Sequence, residues 1–199
     1  RNTAVGTNAL DANTTADNNT AIGDGALKSN TTGTTNVVVG SAASDASTTA
    51  SENTAVGYAA LGVCTTGGTN TAIGYAAMST GDVTGTENTA VGNQAMTVIT
   101  TGSQNVAVGR EALDANTTGT NNVAVGRKAL SANTTASVNT AVGNDAMEAN
   151  TTGADNVAVG GGALASNTTA QNNTAVGRSA ALSVTTGTNH TAVGQAALS

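Results

Sequence analysis

The motif Asn-[Thr/Val]-[Ala/Val]-[Val/Ile]-Gly ends at Gly6, Gly23, Gly40, Gly57, Gly74, Gly92, Gly109, Gly126, Gly143, Gly160, Gly177 and Gly194, with His190 replacing the Asn in the last copy. The spacing is 17 throughout except for one interval of 18 between Gly74 and Gly92. A unit this short cannot bury an apolar face of its own, so each copy must stack on its neighbours. Both ends of the chain fall inside a repeat rather than at a cap. Residues 1–199 are therefore expected to form a single rod, a piece of a longer fibrous protein.

The consensus Asn-Thr-Ala-Val-Gly-x-x-Ala-Leu-x-Ala-Asn-Thr-Thr-Gly-x-x can be read by columns. The residue before each motif Gly is Val or Ile in all twelve copies, and a strictly β-branched column means strand. Three before the Gly stands Thr eight times and Val four times (Val37, Val106, Val123, Val157). Side chains alternate along a strand, so these two columns share one face. The opposite face carries Ala or Val two before the Gly, the Gly itself and the Asn four before it. It is nearly bare, and another backbone can approach it closely.

Three residues after the Gly is Ala in every copy, followed by Leu or Met in ten of twelve; Ser44 and Ala181 are the exceptions. The Asn, Thr and Gly that follow are poor helix interiors, so a short second strand is expected rather than a helix. Recurrent Thr-Thr pairs, such as Thr117-Thr118 and Thr151-Thr152, then make a third side closed by a tight turn. The expected fold is all-β, a parallel β-solenoid or β-roll of twelve coils of about 17 residues. At about 4.8 Å per coil the rod is roughly 55 Å long. In the 18-residue repeat, Val83-Thr84 stands in place of Thr-Thr, so one extra residue lies between Ser79 and Asp82. A turn can absorb it without a slip of the strand register.

Stacking places identical residues above one another. Asn19, Asn36, Asn53, Asn70, Asn88, Asn105, Asn122, Asn139, Asn156 and Asn173 are expected to form a structural ladder of side-chain amides, with Asn2 at its start. His190, the only histidine, is then an Asn substitute and not a catalytic base. Cys64 is alone and sits where other repeats carry Asn or Ser, so it reads as a small filler rather than a reactive thiol.

Composition narrows the function. The chain holds 18 charged residues, two aromatics (Tyr58 and Tyr75) and a net charge of -6. Six basic residues scattered over the chain are too few to displace phosphate counterions, which argues against nucleic acid. No apolar run approaches the roughly 18 residues of a membrane span. No nucleotide-binding, zinc, redox or nucleophile-elbow motif is present, and the acidic residues do not recur down any column as a calcium-binding roll requires. No catalytic residue, metal or cofactor is expected, and the chain is not expected to be an enzyme. Asn-x-Thr sequons (Asn13, Asn30, Asn116, Asn133, Asn150, Asn167) follow from the consensus.

The repeated Asn-Thr-Ala-Val-Gly-x-x-Ala-Leu unit resembles the head repeats of trimeric autotransporter adhesins of the YadA-like type, and is similar to repeats in phage tail fibres. The resemblance covers the whole chain, although each unit is longer than the family's usual one, with the extra residues near Ala-Asn-Thr-Thr-Gly. It implies a left-handed β-roll, a homotrimer, and an extracellular place on a bacterial surface or a virion fibre. Trimerisation is also expected because a coil with one Val or Ile, one Leu or Met and several Ala buries little apolar area, and the bare Ala and Gly columns would let three rolls approach.

A structural and adhesive fibre segment is the function this reading favours. Its partner-binding candidates lie in the variable positions after each Gly: Tyr58 and Tyr75, stacked on consecutive coils as a platform for a glycan or host-surface receptor, with Arg110 and Arg127 further along. The alternative is a Thr-rich solenoid that binds ice or another surface. Against it stands the expectation that adjacent Thr residues alternate inward and outward, leaving one outward Thr per coil with Asn beside it.

Overall fold

A computed structural model describes residues 1–199. It is an all-β parallel solenoid without helices. Twelve three-residue strands, from Thr3–Val5 to Thr191–Val193, form one sheet in strict sequence order. Each strand pairs with the same three columns of the next coil, for example Val106↔Val123, Ala107↔Ala124 and Val108↔Val125. The register survives the long repeat, where Thr71, Ala72 and Ile73 pair with Thr89, Ala90 and Val91.

The extra residue is absorbed in the turn, as the sequence predicts. Val63 bridges Asp82, and the Asp82 carboxylate accepts the Thr65 N–H at 3.1 Å and the Thr65 hydroxyl at 2.9 Å. The local alignment differs from the expectation, however. Val83 is buried beside Cys64 in the inward column where most coils carry Asn, and does not take the place of a surface Thr.

The two faces of the strand are the reverse of the expected use. The Ala column, two before each Gly, is the buried one: Ala21, Ala55, Ala72, Ala90, Ala107, Ala124, Ala141, Ala158 and Ala175 are all fully covered. It packs with the Ala column three after the Gly and with Leu27, Leu61, Met78, Met96, Leu113, Leu130, Met147 and Leu164 in one continuous core. The Val/Ile and Thr/Val columns point outward. The bare face therefore does not wait for another chain; the core of its own coil fills it.

No second strand follows the Gly. That stretch is a run of turns, and the Thr-Thr side is a series of bends. The cause is backbone conformation. In every coil the second and fourth residues after the Gly adopt positive φ, and from Asn18 onward so does the fifth before it: around one turn Glu111 (57°), Leu113 (53°) and Asn121 (57°). The left-handed conformation costs a non-glycine residue about 1–2 kcal/mol, whereas burying a Leu returns about 1.5–3 kcal/mol. Burial wins, and the strained turn is what swings Leu113 and its equivalents into the interior.

The motif glycines carry a stricter demand. Gly126 has φ 134°, and a Cβ there would strike the carbonyl of Gly143 in the next coil. The backbone that approaches this column is the neighbouring coil of the same chain. Only 22 of the 124 backbone hydrogen bonds lie within the strands, so the turns carry most of the coil-to-coil ladder. Leu27 N–H donates to Ala43 O at 3.0 Å and Leu113 N–H to Ala129 O at 3.0 Å.

Candidate functional site

The Asn ladder is internal. Asn19 through Asn173 in the motif column are all buried. Each Oδ1 accepts the backbone N–H of the next Asn, as in Asn122 N–H to Asn105 Oδ1 at 3.0 Å and Asn139 N–H to Asn122 Oδ1 at 3.0 Å. Each Nδ2 crosses the coil to a turn carbonyl, as in Asn122 Nδ2 to Ala136 O at 2.8 Å. His190 ends the column: its N–H donates to Asn173 Oδ1 at 2.8 Å.

A second ladder, which the sequence reading missed, runs through Asn30, Asn116, Asn133, Asn150 and Asn167, all buried. Asn133 Nδ2 donates to the same Ala136 carbonyl at 3.1 Å and to Asn116 Oδ1 at 3.1 Å. The recurring Asn before Thr-Thr, at Asn13, Asn30, Asn116, Asn133, Asn150 and Asn167, is the available signal. In the sequence it stands out only as a glycosylation sequon, whereas the five asparagines of this ladder are enclosed in the folded chain.

Two buried oxygens in this ladder, Asn30 Oδ1 and Asn167 Oδ1, have no donor, and their positions explain why. Each is the last Asn of a run, because the next coil offers Ser47 or Val184 instead of an amide. Ser47 is engaged with Ser44 at 2.6 Å.

Cys64, Val83 and Ile99 fill the middle of the same column, and all three are buried. The Cys64 thiol donates to Gly67 O at 3.1 Å, the bond an Asn amide makes elsewhere. Burial, and secondarily the Asp82 charge, push the thiol up to about 12, leaving no thiolate at neutral pH for nucleophilic chemistry.

On the surface, the rings of Tyr58 and Tyr75 are stacked at 5.5 Å between centroids and 15° between planes, and they are 55% and 54% exposed. They lie nearly parallel along the rod, so each covers part of a face of the other. Arg110 pairs with Glu111 at 3.1 Å. Arg127 makes a two-pronged contact with Asp145 at 2.9 Å and bonds Asn144 at 2.9 Å, while Lys128 meets Glu148 at 3.2 Å. Beside this group, burial first and the Glu111 charge second raise the Asp114 carboxyl above the usual carboxylate range. The structure thus joins the two tyrosines but ties each arginine to carboxylates of its own chain.

The Thr-Thr pairs correct the expected alternation. Both residues face outward: Thr117, Thr134, Thr151 and Thr168 are half-buried, and Thr118, Thr135, Thr152 and Thr169 are exposed, while the Asn before them points inward. The first hydroxyl of the pair donates to the next coil, as in Thr117 to Thr134 O at 3.1 Å and Thr151 to Thr168 O at 3.0 Å.

The largest uncovered feature is the outward sheet face. Nine of the thirteen exposed large hydrophobic side chains lie on it: Val5, Ile22, Val37, Ile73, Val108, Val157, Val159, Val176 and Val193. The two columns contain only Val, Ile and Thr, with no charge from end to end. The surface holds no enclosed pocket, and no three His, Cys, Asp or Glu residues come together as a metal site would need. No protein-family model matches the chain, and neither does a curated protein or a solved structure.

Proposed function

We propose that the chain is a structural and adhesive fibre segment, extracellular, in which three copies of a left-handed β-roll run parallel about an axis along the rod. The observation that carries this reading is the uncharged Thr/Val and Val/Ile face left uncovered along the whole stack. Twelve ranks at about 4.8 Å, two side chains wide, amount to about 500 Å² of flat surface. Patches of several hundred Å² on a soluble chain mark association surfaces. With flanking residues added, such a face approaches the roughly 800 Å² per partner of a stable interface. The seam is thus the Val/Ile face and not the Ala and Gly columns.

A trimer built this way keeps the variable positions after each Gly on the outside. The segment serves as a stiff spacer that displays side chains, in a cell-surface adhesin or a phage tail fibre, with Tyr58 and Tyr75 as the candidate contact for a receptor or glycan. Sedimentation velocity tests the assembly. The expected mass is three times the 18.9 kDa chain, and Val125→Glu with Val142→Glu on the outward face should give a folded monomer. A parent chain that is monomeric at micromolar concentration would overturn the trimer. Attachment is tested by Tyr58→Ala with Tyr75→Ala on a cell or glycan array, where unchanged binding excludes the tyrosines.

One observation favours the alternative reading. The paired outward Thr columns are a regular hydroxyl and methyl array of the kind that ice or another crystalline surface could engage. Thermal hysteresis of the monomeric chain is its readout, and a chain without hysteresis removes it.

A further inference from the structure

The strand is not the only face of the rod from which charge is excluded. Of the 18 charged residues, 16 stand in four columns: the first, second and fifth after the motif Gly and the fifth before it. The strip from the sixth to the eleventh residue after the Gly holds only Asp17 and Asp82, and the Asp82 carboxylate is taken up by the Thr65 hydroxyl at 2.9 Å. The Thr-Thr pairs run along the middle of this strip. It lies across the coil from the foot of the strand, spanned by bonds such as Asn122 Nδ2 to Ala136 O at 2.8 Å. A seam on the Val/Ile face leaves it open.

The second Thr of the pair is the stricter column. It is Thr in all eleven coils that reach it, from Thr15 to Thr186 with Thr84 in the long repeat, and every one is exposed. The fold does not require this. Only Thr49 and Thr84 turn the hydroxyl back to a carbonyl of the chain, at 2.9 and 3.4 Å, and Ser, Asn or Asp suits an exposed bend as well as Thr does. An exposed position free of constraint drifts from repeat to repeat, as the first residue after the Gly does through Asp24, Tyr58, Arg110 and Gln195. A column held to one residue at every level is matched to a partner that is the same at every level. A folded receptor offers different groups at different heights, whereas a crystal lattice offers one group at a fixed period.

The array has the chemistry of a water lattice. Adjacent threonines are about 3.8 Å apart across the strip and coils about 4.8 Å apart along it, an interval close to that at which rows of water oxygens repeat in ice. The first hydroxyl is pinned by its bond to the next coil, as in Thr134 to Thr151 O at 3.3 Å, and its lone pairs still accept from water. The second hydroxyl both donates and accepts, and no charge competes for the water. Each contact is weak, but they act together over about 48 Å of rod.

We infer that the paired Thr columns are an ice-binding face, with the second Thr of each pair as the contact residue, carried on the same rod whose strand face joins its copies. This rests on the surface-binding reading above, and makes it a second property of the fibre instead of a rival to it.

Thermal hysteresis and ice-crystal shaping by the full chain are the readout. The parent should hold back ice growth and facet the crystals. Thr118→Tyr with Thr135→Tyr lifts the centre of the array off a flat lattice and should reduce hysteresis several-fold, with thermal unfolding unchanged; Thr152→Lys with Thr169→Lys should do the same. Val125→Glu with Val142→Glu, on the strand face, should still shape the crystals. A parent without hysteresis overturns both the inference and the surface-binding reading. Hysteresis that survives both Thr pairs, or shaping that is lost with the Val pair alone, overturns the Thr face and leaves surface binding to another part of the rod.

Discussion

Replacing Asn122 by Leu tests the internal ladder at its centre. The side chain makes two bonds as donor, to Ala136 O at 2.8 Å and Asn105 Oδ1 at 3.1 Å, and accepts two from Asn139, from its N–H at 3.0 Å and its Nδ2 at 3.4 Å. Most of the abandoned partners keep another bond. Ala136 O retains the amide of Asn133, Asn105 Oδ1 retains the backbone N–H of residue 122, and Asn139 Nδ2 retains Gly153 O at 2.9 Å. The one group left with nothing is the Asn139 N–H, in a buried residue. An orphaned buried donor costs about 1–3 kcal/mol, and each net bond lost adds about 1 kcal/mol. Asn122→Leu should therefore lose about 3 kcal/mol in urea denaturation followed by far-UV circular dichroism. Asn122→Asp separates bonding from shape: it keeps an acceptor for Asn139 N–H but sets a carboxylate against Ala136 O and Asn105 Oδ1. Burial raises the pKa of such a carboxyl in the folded state, so folding takes up a proton and the variant should gain stability as pH falls toward the carboxylate range. A Leu variant within 0.5 kcal/mol of the parent, a threshold set by the usual scatter of neutral surface changes, would refute the ladder as a source of stability.

Val138 is a β-branched residue at φ 62° and is exposed, in a column that elsewhere holds Asn121 and Asn172; Val138→Asn should stabilise by about 1 kcal/mol in the same denaturation assay. Cys64 should stay unlabelled by a thiol reagent in the native chain at pH 8 and react at once in urea, since its thiol titrates at about 12. Val184→Asn together with Ala181→Leu restores both the donor missing from Asn167 Oδ1 and the large side chain for which Val184 compensates, and should stabilise by about 1 kcal/mol. Ser44→Leu alone should destabilise by about 1–3 kcal/mol through overpacking, and Val38→Ala added to it should recover most of that loss. Additive effects for this last pair would show that the two side chains do not share one space.

Periodicity alone made the stack, the strand at each motif and the motif Asn ladder legible, because a strict repeat forces identical residues above one another. The turns were not, since no residue preference announces a bulky Leu113 or Met147 at positive φ; tertiary burial overrides the local cost. The pairing of Tyr58 with Tyr75 followed from their shared column. The partners of Arg110 and Arg127 did not, because contacts one coil up depend on how each turn aims its side chains.

The reversal of the strand faces has a more specific cause. A β-branched column that never varies looks like a core, but invariance also arises on an outward face that must match another surface at every rank. What decides the matter is volume. The interior of a coil accepts one large side chain from the turn after the Gly, and at native packing density the strand can then contribute only Ala. Where the turn supplies less, something else must supply more. In the third coil the Leu position is Ser44 and the strand's inward Ala becomes Val38, both buried; in the eleventh the Leu position is Ala181 and the place of the second-ladder Asn becomes Val184. A small residue answered by a larger one in the same coil is what two positions facing one cavity would show. The Val/Ile column shows no such response: Val39 and Val176, in those two coils, are unchanged. That compensation was already present in the sequence, and it places the Ala column inside and the Val/Ile column outside.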